Sequence, residues 1–164
     1  MSEFSNKKAS EAVESLTGQK KLDNNFNDNS NKKPVSVLID FAKTDSVLFC
    51  DNQEIEYAEI KYNGHTEIYR ADSVKYKSWL RKKFYYQTKS APSKVSLETA
   101  ISTIKAIASF EGDKRDVYLR VAQVDNSMYI DLCNDSWQVI KVDALGWKIL
   151  DESPVAFTRT SNMK

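Results

Sequence analysis

The hydrophobic period changes along the chain, and this change constrains the fold more than any other feature. Between residues 74 and 110, apolar side chains recur every three to four residues, as the buried face of a helix requires. Before and after that region they occur in short alternating runs rich in β-branched and aromatic residues, as in half-buried strands. The sequence therefore predicts an α+β fold, in which two consecutive helices separate a small antiparallel sheet from a C-terminal antiparallel β-meander.

Residues 1–33 contain many Asn, Ser and Lys residues and few apolar ones, so we expect a disordered polar N-terminal tail. Within it, Ala9 to Leu16 has the pattern of a short amphipathic helix, which is marginal in water unless it packs on something. Residues 34–164 are predicted to form a single α+β domain. This part begins with a helix at Pro34, whose apolar face comprises Val35, Leu38, Ile39 and Ala42.

Three strands are predicted after this helix, in the segments "SVLFCD", "EIEYAEI" and "HTEIYRA". The last two are joined by Asn63-Gly64, a strong hairpin signal because a primed turn needs a positive φ at both positions. Together the three runs predict a small antiparallel sheet.

Two helices follow. Ser73 is a suitable N-cap for a helix over about residues 74–89, with Tyr76, Leu80 and Phe84 on one stripe beside Trp79. A second helix is expected to be capped by Ser96 and to end near Gly112. Its predicted apolar face comprises Leu97, Ala100, Ile101, Ile104, Ile107 and Ala108.

The C-terminal region is predicted to be a meander of about five short strands, because turn residues recur at "DNS", "NDS", "DALG" and "DESP". A two-residue turn at Asp125-Asn126 places Arg120 directly opposite Asp131 on the neighbouring strand. An ion pair between these two side chains is expected to fix the register.

Few residues suggest catalysis. The single histidine, His65, lies beside the predicted hairpin turn, where we interpret it as a surface residue. The four glycines are scattered and form neither a P-loop nor a dinucleotide-binding motif. We therefore expect a protein that is not an enzyme and binds no cofactor; an enzymatic alternative would rest on His65, Arg120 and Asp131. Trp137 and Trp147 are interpreted as core residues rather than as stacking platforms.

The two cysteines, Cys50 and Cys133, lie far apart, without the spacing of a zinc site or the density of a disulfide scaffold. The longest apolar runs span only a few residues, and the N-terminus is polar. We therefore expect a cytoplasmic protein that holds no metal and contacts no membrane.

Seven cations lie between residues 73 and 94 without a single acidic residue, although the formal charge of the whole chain is only +1. Lys75, Lys82 and Lys89 recur at heptad spacing, on the side of the helix opposite the apolar stripe. Such lysines follow phosphates while an aromatic ring stacks on a base, as in sequence-tolerant nucleic-acid binding. A solvated helix face balanced by acidic neighbours remains an alternative. The predicted nucleic-acid-binding residues are Lys75, Lys77, Arg81, Lys82, Tyr85, Tyr86 and Lys89.

Four segments then occur in order: "LFCDNQEIEYAEI", "GHTEIYRADSVKYKSWLRKKFYYQTKSAPS", "LETAISTIKAIASFEG" and "VYLRVAQVDNSMYIDLCNDSWQVIKVDALGWKILDESPVAFTRTSNM". Over about residues 47–163 the chain resembles the accessory region that precedes the AAA+ ATPase core in primase-helicase-like replication proteins of phages, plasmids and integrative elements. The matching positions are Ser73, Trp79-Leu80, Phe84-Tyr85, Ala91-Pro92, Arg120, Asp131-Leu132, Gly146-Trp147, Pro154-Val155, Phe157 and Arg159.

The resemblance implies a part in the replication or maintenance of mobile-element DNA, with an AAA+ helicase or ATPase as partner. In such proteins a P-loop ATPase follows this region, whereas this sequence contains no P-loop; it is either a separated portion of a larger protein or a freestanding accessory. The first hypothesis is therefore a non-catalytic DNA-binding or helicase-accessory module. The second is a protein-interaction module that docks on an ATPase without contacting DNA.

Overall fold

The computed structural model describes residues 33–160, 162 and 163. The predicted tail and the short helix within it lie outside the described residues, apart from Lys33. The helices are α1 (Pro34–Asp45), α2 (Val74–Thr88) and α3 (Lys94–Phe110). The strands are β1 (Ser46–Cys50), β2 (Glu56–Tyr62), β3 (His65–Arg70), β4 (Asp113–Lys114), β5 (Val117–Tyr118), β6 (Val121–Val124), β7 (Ser127–Asp131), β8 (Val139–Asp143), β9 (Gly146–Leu150) and β10 (Ala156–Phe157).

The strands form three groups. The first sheet has the order β3-β2-β1-β4, and it is antiparallel except that β4 runs parallel to β1. The meander, β6-β7-β8-β9, is antiparallel throughout. A short parallel pair, β5 with β10, makes the third group. The predicted α+β class and C-terminal antiparallel meander are confirmed, although the meander has four strands rather than about five.

The predicted helix starts are confirmed at two of three positions. Pro34 begins α1, and the Ser73 side chain caps α2 by accepting the backbone N–H of Tyr76. The expectation that Ser96 caps α3 is wrong. The N-cap is Ser93, which has an extended backbone and whose Oγ accepts the backbone N–H of Ser96 at 3.0 Å. The helix therefore begins one turn earlier than the apolar pattern suggests.

The hairpin between β2 and β3 is confirmed, since Asn63 and Gly64 both have positive φ angles. Another glycine, Gly112, allows the turn after α3 to pack tightly against β1. A Cβ atom at Gly112 would lie 2.5 Å from the carbonyl oxygen of Ala108 and 2.7 Å from that of Leu48. Only glycine fits between these two backbone segments.

The main apolar cluster lies between the three helices and one face of the first sheet. Its buried members are Val37, Leu38, Ala42, Ala58, Ile60, Ala71, Tyr76, Trp79, Leu80, Phe84, Leu97, Ala100, Ile101 and Ile104. The meander has a separate small cluster, in which Ala122 and Val139 pack with Phe157 of β10.

The meander is joined to the rest of the molecule by an ion pair that the sequence did not predict. Asp131 lies opposite Arg120 as expected, because its backbone N–H donates to the Arg120 carbonyl at 2.9 Å. The expected side-chain pair is nevertheless wrong: Arg120 points to the Cys133 sulfur at 3.2 Å, and Arg159 binds the Asp131 carboxylate with two hydrogen bonds, at 2.8 and 2.5 Å. The segment that follows β10 lies against the meander, so Asp131 pairs with an arginine 28 residues away in the sequence.

Both members of the pair are buried, with 1% of the Asp131 side chain and 10% of the Arg159 side chain exposed. Burial alone would raise the pKa of the Asp131 carboxyl. Hydrogen bonds from Arg159 and from the Cys133 backbone N–H outweigh burial, so the pKa is lowered. The Arg159 guanidinium also lies 4.0 Å from the centre of the Trp137 ring, which packs on His65 and Tyr69 of β3.

We expect Arg159→Ala to lower the free energy of unfolding by about 3–5 kcal/mol, because it leaves the Asp131 carboxylate buried without its partner. The matched control, Arg120→Ala, removes an exposed cation that faces the same residue across the strands, and should change stability by less than about 0.5 kcal/mol. Urea unfolding at neutral pH measures both variants. Equal losses in the two variants would contradict the observed pairing.

The lowered pKa of Asp131 also predicts how stability depends on pH. Its contribution is fully present above the ordinary carboxyl pKa of about 4 and is lost as the pH falls through the lower folded-state pKa. Asp131→Asn should therefore be less stable than the wild type near neutral pH, with the difference shrinking as the solution is acidified. Unfolding curves across the acidic range test this, and a constant difference would show that Asp131 is not the group responsible.

Candidate nucleic-acid interface

The orientation of α2 is set by its apolar stripe. Tyr76, Trp79, Leu80 and Phe84 are buried against the first sheet and the other helices. Because these side chains occupy one side of the helix, residues half a turn away are directed to solvent. Lys75, Arg81 and Lys82 are thus displayed on the outer surface of the molecule.

Six of the seven predicted binding residues are exposed. They are Lys75, Arg81, Lys82, Tyr85, Tyr86 and Lys89. The seventh, Lys77, is half-buried and its Nζ binds both carboxylate oxygens of Glu98 at 3.1 Å, so it does not join the others. Lys83, a further cation of the same segment, is also only partly exposed and pairs with Asp45 at 3.1 Å.

Lys75, Arg81, Lys82 and Lys89 form no ion pair with any acid in the described part of the chain. We call these four cations, together with Tyr85 and Tyr86, the basic face. Among the cations of α2, acidic neighbours therefore balance Lys77 and Lys83.

Aromatic rings lie between these cations. Tyr85 and Tyr86 are edge to face, with ring centres 6.0 Å apart, and both are more than half exposed. Lys89 lies 5.9 Å from the centre of the Tyr86 ring. Lys89 itself ends α2 in a left-handed conformation, with its backbone N–H bonded to the Tyr85 carbonyl. The helix end thus presents two tyrosine rings and an adjacent charge.

A groove beside the basic face runs between α2 and the β2–β3 hairpin. It has a volume of about 240 Å³, with Lys75 and Lys82 on the helix side and Tyr62 and Tyr69 on the sheet side. The Lys82 ammonium lies 5.1 Å from the centre of the Tyr62 ring. Sequence reasoning missed this groove because its two walls come from elements that are distant in the chain.

His65 differs from the expectation of a surface histidine, since only 14% of its side chain is exposed. Its Nε2 hydrogen-bonds to Glu67 at 2.8 Å, and the Tyr69 hydroxyl donates to the same carboxylate at 2.5 Å. Burial, followed by the bond to Glu67, raises the pKa of Tyr69, so this phenol keeps its proton. Asp131 binds Arg159, and Arg120 contacts the Cys133 sulfur, which itself lies 3.5 Å from Asp131 Oδ2. His65 instead contacts Glu67 and the Trp137 ring.

The two tryptophans of the meander also differ from each other. Trp137 is half-buried against His65, Tyr69 and Arg159, as a packing residue. The interpretation of Trp147 as a core residue is wrong, because 69% of it is exposed. Its alternating position on β9 places it on the face of the meander directed away from Phe157.

A larger cavity, of about 400 Å³, lies between the first sheet and the meander. The guanidinium of Arg115 at its wall donates to Glu59 at 2.8 Å and lies 3.8 Å from the centre of the Phe49 ring. Two of its nitrogens, Nε and Nη2, are buried without a hydrogen-bond partner among the described residues. The carboxylates of Asp116 and Asp151 in the same wall accept hydrogen bonds from neighbouring amides.

Within the described residues, no group of three or more His, Cys, Asp or Glu side chains is arranged to hold a metal ion. None of the helices α1, α2 and α3 has the length and apolarity to cross a membrane. Comparisons of the chain with protein-family models, with curated proteins and with solved structures found no match. The resemblance to replication proteins therefore stays a prediction from the sequence.

Proposed function

We propose that this protein is a non-catalytic DNA-binding module that contacts single-stranded DNA through the basic face. The observation that carries the proposal is the set of four exposed cations without an acidic partner in the described residues, placed around two exposed tyrosines. Exposed lysines attract phosphates without regard to base sequence, and exposed rings stack on unpaired bases. In a duplex the bases are already stacked on one another, so the tyrosines favour a single strand.

The groove beside α2 supports the same function. Lys75 and Lys82 contribute both to the basic face and to the groove wall, so a strand that follows these cations passes over the Tyr62 ring. An aromatic ring beside a phosphate-binding lysine is the arrangement that holds an unstacked base.

The proposed setting comes from the sequence resemblance. It favours a part in the replication of phage or other mobile-element DNA, next to an AAA+ helicase or ATPase, while the two isolated cysteines and the polar N-terminus favour the cytoplasm. In this setting the module holds the strand while the partner supplies the ATP-driven movement.

A second candidate is an interaction module whose basic face binds an acidic protein surface, such as one on an ATPase, without DNA. It is favoured by Lys77 and Lys83, two further cations of α2, which already bind the carboxylates of Glu98 in α3 and Asp45 in α1. Capture of a purified ATPase from the same genome without DNA, unaffected by nuclease treatment and lost on reversal of the cations, would support this candidate over DNA binding.

We expect Lys75→Glu, Lys82→Glu and Lys89→Glu, combined in one variant, to abolish binding of an oligothymidine strand at low salt. Fluorescence anisotropy measures the affinity, and the wild-type affinity should fall with salt at a logarithmic slope of about −3, as expected for four phosphate contacts. The control variant carries the same charge change at Lys61, Lys114 and Lys148, which are exposed cations outside α2. If both variants lose binding equally, the loss reflects net charge and the basic face is not the site.

The tyrosines give an independent prediction. Replacing Tyr85 and Tyr86 by Ala should weaken binding of the single strand by about 1–3 kcal/mol for each stacked base. Phe at both positions keeps the rings and should keep the affinity. Binding to a duplex of the same length should change little. An equal loss with the single strand and with the duplex would contradict base stacking.

A further inference from the structure

The meander has an inverted distribution of polarity. On its inner face Ala122 and Val139 pack against Phe157, but Lys141 and Lys148 also occupy this side by alternation. The opposite side, which we call the outer face, consists of two cross-strand rows. One row is Val121, Ile130, Ile140 and Ile149, and the other is Gln123, Met128, Val142 and Trp147.

Seven of these eight side chains are apolar and none is charged. Trp147 is 69% exposed and Ile149 is 52% exposed, and no described element covers them. Two exposed leucines flank this face: Leu119 lies just before β6, and Leu145, which is almost completely exposed, lies in the turn between β8 and β9. A continuous apolar sheet face of this kind marks an interaction surface rather than an ordinary solvent-facing one.

The size of the outer face agrees with what a dimer requires. The exposed fractions of its large apolar side chains, with the two flanking leucines, amount to about four complete side chains. Because all but one of these side chains are smaller than the aromatic ones, the lower part of the aromatic range, roughly 150–200 Å² each, applies and gives on the order of 700 Å². A standard interface buries about 800 Å² on each partner, and weak complexes bury less.

We propose that the outer face binds the outer face of a second copy of this chain, forming a weak, reversible dimer. Because the face carries no charge, it has no electrostatic feature that would select a different protein, and it meets no repulsion from its own copy. Two sheets that pack face to face form a two-layered β-sandwich, and a two-fold axis makes the contact closed.

One arrangement of the two copies also matches side-chain sizes. With the two-fold axis parallel to the strands, β9 of one protomer lies over β6 of the other, and β8 lies over β7. Trp147 then meets the smaller Gln123, and Met128 meets Val142. In the other row Ile149 meets Val121 and Ile130 meets Ile140, so the two largest side chains, Trp147 and Met128, both face smaller ones, which favours close packing.

The proposal does not depend on DNA binding, because the basic face lies on α2 and the outer face lies on β6 to β9. Analytical ultracentrifugation of the full-length chain, over a range from low to high micromolar concentration, tests the proposed dimer. The wild type should show a growing dimer fraction that persists in high salt. Ile149→Lys and Trp147→Glu, made separately, should each weaken dimerisation by roughly tenfold or more.

Lys148→Glu is the matched control, since it changes a charge on the same strand but on the opposite side, and it should dimerise as the wild type does. Trp147→Glu is not expected to unfold the protein, because a largely exposed side chain contributes little to the core. Circular dichroism checks that Ile149→Lys and Trp147→Glu are both folded. A wild type that stays monomeric at every concentration overturns the proposal. Undiminished dimerisation of folded Ile149→Lys and Trp147→Glu overturns it as well.

Discussion

One apolar cluster holds α1, α2 and α3 against a single face of the first sheet. Within it, Tyr76, Trp79, Leu80 and Phe84 use one whole side of α2, so the helix has only one orientation in which they are all buried. Rotating α2 to hide Lys75 or Lys82 would expose these four side chains, at a cost of roughly 1.5–3 kcal/mol for each. The display of positive charge is thus a consequence of hydrophobic burial.

The meander depends on a second and different constraint. Its own cluster, around Ala122, Val139 and Phe157, is small, and the buried pair of Asp131 and Arg159 joins it to the chain end. Such a pair contributes less to net stability than to fixing one arrangement, because desolvation offsets much of its attraction. Trp137 packs on the Arg159 guanidinium and also contacts His65 and Tyr69 of β3, so it links the ion pair to the first sheet.

Local patterns in the sequence predicted the elements well, and distant contacts were the part they missed. The period of apolar residues located α2, and the Asn63-Gly64 turn located the β2–β3 hairpin. Strand alternation even placed Arg120 opposite Asp131 in the backbone, yet the carboxylate selects Arg159, because a residue 28 positions away returns with β10. No local period encodes that return, nor the two-residue strands β4 and β5.

The candidate site shows the same division. Sequence spacing identified the exposed cations and tyrosines, but it included Lys77, whose partner Glu98 lies on the next helix. The alternation of β9 correctly places Trp147 on one side of a strand, but only the packing of Phe157 decides which side is inner. The molecule consequently presents two chemically distinct surfaces, a cationic and aromatic one on α2 and an uncharged apolar one on the meander.

The most direct test of the central claim is an NMR titration of isotope-labelled protein with a short single-stranded oligonucleotide. DNA bound by the basic face should shift the backbone amide signals of α2 and of the hairpin around Tyr62, with little change in β6 to β9. Shifts confined to the meander, or none at DNA concentrations well above those of the protein, would contradict the account.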